Sequence, residues 1–263
     1  MSIDSIVAGR TTDDVFLAGL PDGGLHILQP KDGLRSGLDA VMLAAAVPAV
    51  SGERILDAGA GVGVAGLAVA RRCAGVELTL VEREPELAAL SRINIERNGM
   101  SGRAVALCAD LLEPVTAFAD RGLAPDSFDH VLANPPFFDE RRVRVSPRGL
   151  RAGASAFAAG DLDRWLRFLA AMARPGGRLT LIHRADALAG ILDAIGARFG
   201  ALTIFPLFPR SGVPAGRIIV QGVKGSRAPL EILPGLRLHE EAGGYSAEAE
   251  AVLRFGAPLA PGR

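Results

Sequence analysis

Lysine is nearly absent from this chain: of 29 basic residues, only Lys31 and Lys224 are lysines. Helix propensity scarcely separates lysine from arginine, so the bias is read as compositional rather than functional. The 29 acidic residues bring the net charge to zero, which removes any global electrostatic argument for a polyanionic partner. Local clustering has to carry one. Cysteine is equally scarce: Cys73 and Cys108 lie in apolar sequence without C-x-x-C spacing, which fits a reduced, cytoplasmic setting. His26, His130, His183 and His239 are scattered, so no metal-ligand spacing appears and no metal is expected. No apolar run reaches the roughly 18 residues of a membrane span. The start, MSIDSIVAGR, has an early Asp4 where a signal peptide would be basic and then apolar.

What is present is a chain of 263 residues, 49% apolar, long enough for one large domain with an ample core. Two short apolar runs around Pro-Asp-Gly-Gly in 13–30 predict a hairpin. Residues 38–50 are helix-like up to about Pro48. The run 54–59 reads as a strand entering glycines, 63–73 as a helix, 76–82 as a strand and 85–99 as a helix stopped by Asn98-Gly99. Strands follow at 104–110 and 128–134, then a helix over 162–177 ending at Pro-Gly-Gly. A strand at 178–183, a helix at 185–200 and strands near 201–207 and 217–223 complete the order. The alternation predicts an α/β fold with a mostly parallel sheet and helices on both faces. Residues 1–32 read as a hairpin extension, 33–225 as the main domain, and 226–263 as a C-terminal extension, obscure in role, with a loose tail.

In such sheets ligands sit beyond the carboxyl ends of the strands. Asp57, Glu82, Asp110 and Asn134 fall at four successive strand ends, so they should converge on one rim. The turn LDAGAGVGVAG (56–66) fits two templates. Gly61, Gly63 and Gly66 match a dinucleotide fingerprint; Asp57 followed by Gly59, Gly61 and Gly63 matches S-adenosylmethionine enzymes. A pyrophosphate needs a helix N-terminus free of competing negative charge. Asp57 can accept from a ligand ammonium, and Glu82 from both ribose hydroxyls. Asp110 can accept from an adenine amine or cap the turn before LLEP. Three acids at three strand ends suit a zwitterionic sulfonium ligand better than a pyrophosphate.

The next strand runs into Asn134-Pro135-Pro136-Phe137. A conjugated amino nitrogen is a poor nucleophile because its lone pair is delocalised. The Asn134 side-chain oxygen and the Pro135 carbonyl are two fixed acceptors for its N–H groups, turning the nitrogen toward tetrahedral geometry. Prolines stiffen the turn, and Phe137 offers a face for a planar group. A methyl sulfonium carries its own driving force, so no strong base or metal is needed.

ILDAGAGVGVAG, LVE and LANPPF together resemble the class I S-adenosylmethionine-dependent methyltransferases that act on amino groups, over about residues 30–223. The resemblance implies their Rossmann-like, doubly wound, seven-stranded sheet. GLRSGLDAVMLAAAVP (33–48) and RLTLIHRADAL are further similar to the bacterial tRNA (adenine-N6)-methyltransferases that modify adenine-37 of a valine tRNA. It implies that Arg35, Gly37 and Asp39 lie near the methionine end of the cofactor. Asp57, Gly59, Gly61, Gly63, Glu82, Asp110, the adjoining Leu111 and Asn134 complete that set. Asn134, Pro135, Pro136 and Phe137 form the catalytic set, with Asn134 and Phe137 holding the base. Two positions depart from the family: Phe137 stands where tyrosine is frequent, and Leu38 where threonine is common.

After the motif, Arg141, Arg142, Arg144, Arg148 and Arg151 crowd into eleven residues. Arginine contacts phosphate in bidentate fashion and stacks on unpaired bases. Phe138, Arg141, Arg142 and Arg144 are therefore the expected RNA-contacting residues. A solvated loop paired with Asp139 and Glu140 is the alternative. The leading expectation is methylation of an adenine N6 in tRNA. Guanine-N2 methylation of ribosomal RNA, glutamine methylation of the release-factor type and a cofactor-binding scaffold are the alternatives. Release-factor enzymes carry a long helical domain before the glycine turn, where only about 53 residues stand here.

Overall fold

The computed structural model describes residues 11–32, 35–114, 118, 121, 123–135 and 160–259. The chain opens with an antiparallel hairpin, β1 (Thr11–Phe16) and β2 (Leu25–Pro30), as the turn residues predict. The helix α1 (Leu38–Ala46) stops because Pro48 drives Val47 into extended backbone. Then come β3 (Arg54–Ala58), α2 (Val64–Arg72), β4 (Glu77–Glu82), α3 (Pro85–Arg97), β5 (Ala104–Cys108) and β6 (Phe128–Ala133). The second half holds α4 (Asp161–Met172), β7 (Ala173–Arg184), a 3-10 turn (Ala185–Ala187), α5 (Leu188–Ile195), β8 (Phe199–Phe208) and β9 (Arg217–Lys224). Two short strands, β10 (Glu231–Ile232) and β11 (Leu236–Arg237), and a helix α6 (Ala247–Phe255) complete it.

The strands form one sheet in the order β10-β8-β9-β7-β6-β3-β4-β5, with β11 also on β8. All neighbours are parallel except at β9. The seven expected strands are present, and β10 and β11 add short pairs that cover the outer edge of β8. Side chains alternate between two cores. Ile55, Leu80, Leu132 and Ile219 face α1, α2, α3, α6 and the hairpin. Leu56, Val81, Val131 and Val220 face α4 and α5.

Two boundaries differ from expectation. The helix expected over 162–177 ends at Met172, because the carbonyls of Ala171 and Met172 accept from Asp126 and Ser127 and Ala173 pairs with Phe128. The strand therefore takes over Pro-Gly-Gly. The helix expected over 185–200 ends at Ile195, where Gly196 leaves helical backbone and Phe199 pairs with Lys224.

Both extensions fold onto the same core. The N–H of Gly19, in the hairpin loop, donates to Arg254 O at 2.8 Å. Leu259, expected in a loose tail, is 5% exposed and donates to Ala45 O at 2.8 Å. On the other side, Asn94 in the last turn of α3 and Asn98, which caps it, imitate a strand along β2. Asn94 accepts from Leu28 N at 2.8 Å and donates to Leu28 O at 3.1 Å. Asn98 does the same with His26, at 3.0 and 2.8 Å. The outer edge of the hairpin is thereby closed by side-chain amides. Among the described residues no helix is long and apolar enough to cross a membrane.

Candidate active site

The parallel register aligns the strand ends. Ala58 is opposite Val81 on one side and Ala133 on the other, and Glu82 is opposite Cys108. Gly59, Glu82, Asp110 and Asn134 consequently emerge on one rim, where a doubly wound sheet presents its ligands.

The glycine turn has left-handed backbone at Gly59 (φ 69°), Gly61 (φ 58°) and Gly63 (φ 92°). At Gly59 a side chain is excluded twice, since a Cβ would lie 2.3 Å from Cη2 of Trp165. Gly66 lets α2 approach the sheet: a Cβ there would meet Leu80 Cδ2 at 2.5 Å. Gly59 and Ala60 donate to Val81 O at 2.8 and 3.0 Å. Gly61 donates to Glu82 Oε2, and Gly66 to Asp57 Oδ2, each at 2.8 Å. Ser91 Oγ donates to Gly61 O at 2.7 Å, and Asn94 Nδ2 to Val62 O at 2.9 Å. The turn is thus held from β4 and α3 on opposite sides, and Asn94 joins it to the hairpin.

This wiring bears on which ligand fits. The turn N–H of Gly61, the donor a phosphate would need, already serves a carboxylate. Glu82 adds negative charge at the mouth, and its carboxylate, which already accepts from the N–H groups of Gly61, Glu84 and Arg83, keeps one lone pair for a hydroxyl. Among the described residues, its chain neighbours aside, no atom lies within 4 Å of the position a Gly61 Cβ would take, which leaves room at the mouth. The residues fit a nucleoside with a cationic tail and disfavour a pyrophosphate.

Burial pushes the Asp57 carboxyl up to about 7, and the Glu82 charge adds to the rise against the opposing Gly66 hydrogen bond. Burial also raises Glu82, opposed by the N–H groups of Glu84, Gly61 and Arg83. Asp57, expected to meet the ligand ammonium, is 2% exposed and is committed to the start of α2. Asp110 accepts from Leu112 N at 2.9 Å through Oδ1, the capping alternative, and its side chain is half-buried. Leu111 is buried in the core beneath α4.

Arg35 pairs with Asp14 of β1 at 2.7 Å, Gly37 caps α1, and Asp39 accepts from Arg217 of β9 at 2.8 Å. The Arg217 guanidinium is therefore engaged with a carboxylate. The intervening Ser36 is held by the buried amide of Gln29, whose Oε1 accepts its N–H at 2.8 Å. Asn134 is half-buried directly after β6, and Pro135 is buried. Pro136, Phe137, Phe138, Arg141, Arg142, Arg144, Arg148 and Arg151 lie outside the described residues. Trp165, Ser91, Asn94 and Gln29 were not anticipated. Only Trp165, the single tryptophan, carried a signal in the sequence.

Comparison with known proteins agrees with this geometry. The model of the methyltransferase small domain matches residues 36–158. A crystal structure from Agrobacterium tumefaciens, described as a predicted O-methyltransferase, is 34% identical with a TM-score of 0.72. The match covers 84% of this chain and 98% of that one. The chain belongs to the class I S-adenosylmethionine-dependent methyltransferases, and the cofactor of the class is S-adenosylmethionine. Within that class it is similar to proteins named tRNA1(Val) (adenine(37)-N6)-methyltransferase. That of Shewanella halifaxensis is 29% identical over 65% of this chain and 65% of its own, and that of Shewanella loihica 30% identical over 60% and 63%. The matched segment spans just under two thirds of these relatives' length.

Proposed function

We propose that the protein transfers the methyl group of S-adenosylmethionine to an exocyclic amino nitrogen of RNA, in particular N6 of an adenine in tRNA. One observation carries the reading: Asn134-Pro135 leaves β6 in register with the glycine turn leaving β3, as Ala133 pairs with Ala58. This register supports an amino acceptor at Asn134 beside a cofactor at Gly59–Gly63. The names of the Shewanella relatives support adenine N6 and tRNA.

The cofactor supplies an electrophilic methyl on a sulfonium. The chain supplies position. The Asn134 side-chain oxygen and the Pro135 carbonyl accept the two N–H groups of the target and aim its lone pair at the methyl. Pro136 stiffens this turn, Phe137 stacks under the base, and Phe138, Arg141, Arg142 and Arg144 contact the RNA beside it. Glu82 receives a ribose hydroxyl, and Asp110, with Leu111 next to it, borders the adenine. Arg35, Gly37 and Asp39 flank the methionine end. Asp57 acts at one remove, by holding the N-terminus of α2 through Gly66.

Asn134→Ala tests the mechanism. Methyl transfer should fall by about a thousandfold, in the range seen for removing a transition-state hydrogen-bond partner. Cofactor affinity should stay within about threefold. Wild-type turnover by this variant removes Asn134 from the mechanism. The description of the Agrobacterium tumefaciens relative favours a second reading, methylation of oxygen. Nucleoside analysis separates the two, because ribose or small-molecule oxygen methylation leaves no N6-methyladenosine.

A further inference from the structure

The rim that carries Asn134 continues to a concavity at the end of β8. β8 runs in the same direction as β6 and β7, so its end at Phe208 opens on the same side of the sheet. β11 lies parallel to β8 with Arg237 opposite Phe208. Between β11 and the loop joining β8 to β9 is a groove of about 540 Å³, lined by Phe208, Arg210, Ser211, Val213, Pro214 and Arg237. Among the described residues none that line it is acidic. Its floor is apolar, and two guanidinium groups border it. Arg210 is exposed; Arg237 holds Glu240 at 3.1 and 3.3 Å in an exposed pair of the kind worth little. Three strand spacings, roughly 14 Å, separate β8 from β6. That is the rise of about four stacked nucleotides.

We propose that this groove is a second RNA contact, which takes a nucleotide about four positions from the methylated one. Its base lies on Phe208, Val213 and Pro214, and its phosphate sits between Arg210 and Arg237. A phosphate brings the charge that Arg210 and, in exchange for Glu240, Arg237 would take, and an unpaired base brings the planar apolar face. Glu240 competes with the phosphate for Arg237. The inference rests on the RNA reading above and extends it to a surface remote from the reacting atoms.

The test is a titration of unmodified tRNA against the full chain by fluorescence anisotropy over a salt series, with transfer kinetics from tritiated S-adenosylmethionine alongside. The Arg210→Ala, Arg237→Ala double variant should bind tRNA at least about tenfold more weakly, with a salt slope reduced by one to two. KM for tRNA should rise in step, while kcat and cofactor affinity stay within about twofold. Glu240→Ala, which frees Arg237, should tighten binding about two- to threefold. A double variant with wild-type affinity, slope and KM overturns the groove and leaves the enzymatic reading standing. Equal loss of cofactor affinity also overturns it, since the residues would then act through the fold. A wild-type protein that neither binds nor methylates RNA overturns the function and the groove together.

Discussion

Replacing Gly59 with alanine perturbs the glycine turn in two ways that can be measured apart. The first is backbone: φ at 69° costs an L-residue about 1–2 kcal/mol. The second is steric. The new methyl would lie 2.3 Å from Cη2 of Trp165 and 3.1 and 3.2 Å from Cζ3 and Cζ2, the rigid edge of an indole only 9% exposed. Overpacking of this kind costs about 1–3 kcal/mol. Gly59→Ala should therefore destabilise by about 2–5 kcal/mol, and it should weaken cofactor binding because the turn must move. Trp165→Phe removes the clashing edge and costs about 2 kcal/mol by itself through lost packing. In the double variant the clash is gone, and the backbone cost of Gly59→Ala and the packing loss of Trp165→Phe remain. Urea unfolding of the four proteins should thus give a favourable coupling of about 1–3 kcal/mol. Additivity within about 0.5 kcal/mol, the behaviour of independent sites, refutes the contact as the reason for glycine.

Asp57 makes stability depend on pH. Its folded value of about 7 stands above the ordinary 3.8, so the native state is favoured below pH 4 and loses stability as pH rises toward 7. The wild type should lose roughly 2 kcal/mol between pH 5 and pH 7 relative to Asp57→Asn, which keeps an acceptor for Gly66 and does not titrate. A stability difference unchanged over that range contradicts the assignment. Asn94→Ala breaks three hydrogen bonds, two to the backbone of Leu28 in both directions and one to Val62 O, and with them the join between hairpin and glycine turn. It should destabilise by about 2–4 kcal/mol and weaken cofactor binding about tenfold, by unfolding and calorimetry. Asn98→Ala, whose side chain reaches His26 in the hairpin and Asn94 O within α3, should cost about 1 kcal/mol and leave cofactor affinity unchanged.

The strand ends were legible because each apolar run closes on a glycine, an acid or a proline. Asp57, Glu82, Asp110 and Asn134 could be placed on one rim from chain order alone. The partners of those side chains could not. Asp39 meets Arg217 across 178 residues, and Asn94 meets Leu28 across 66. Such pairs depend on how elements pack, which local pattern does not encode. The early end of α4 has the same origin, since backbone groups of Asp126 and Ser127 outcompete further helical turns. The burial of Asp57 was also hidden: an acid at a strand end reads as a ligand contact until the close seat of α2, permitted by Gly66, covers it.

The central claim, methylation of an RNA amino group, is tested most directly by the chemical identity of the product. The full chain is incubated with tritiated S-adenosylmethionine and unmodified tRNA, the RNA is digested, and the labelled nucleoside is separated. The account predicts label in N6-methyladenosine, abolished by Asn134→Ala. Label confined to a ribose oxygen, to guanosine or to protein, with none in N6-methyladenosine, contradicts it.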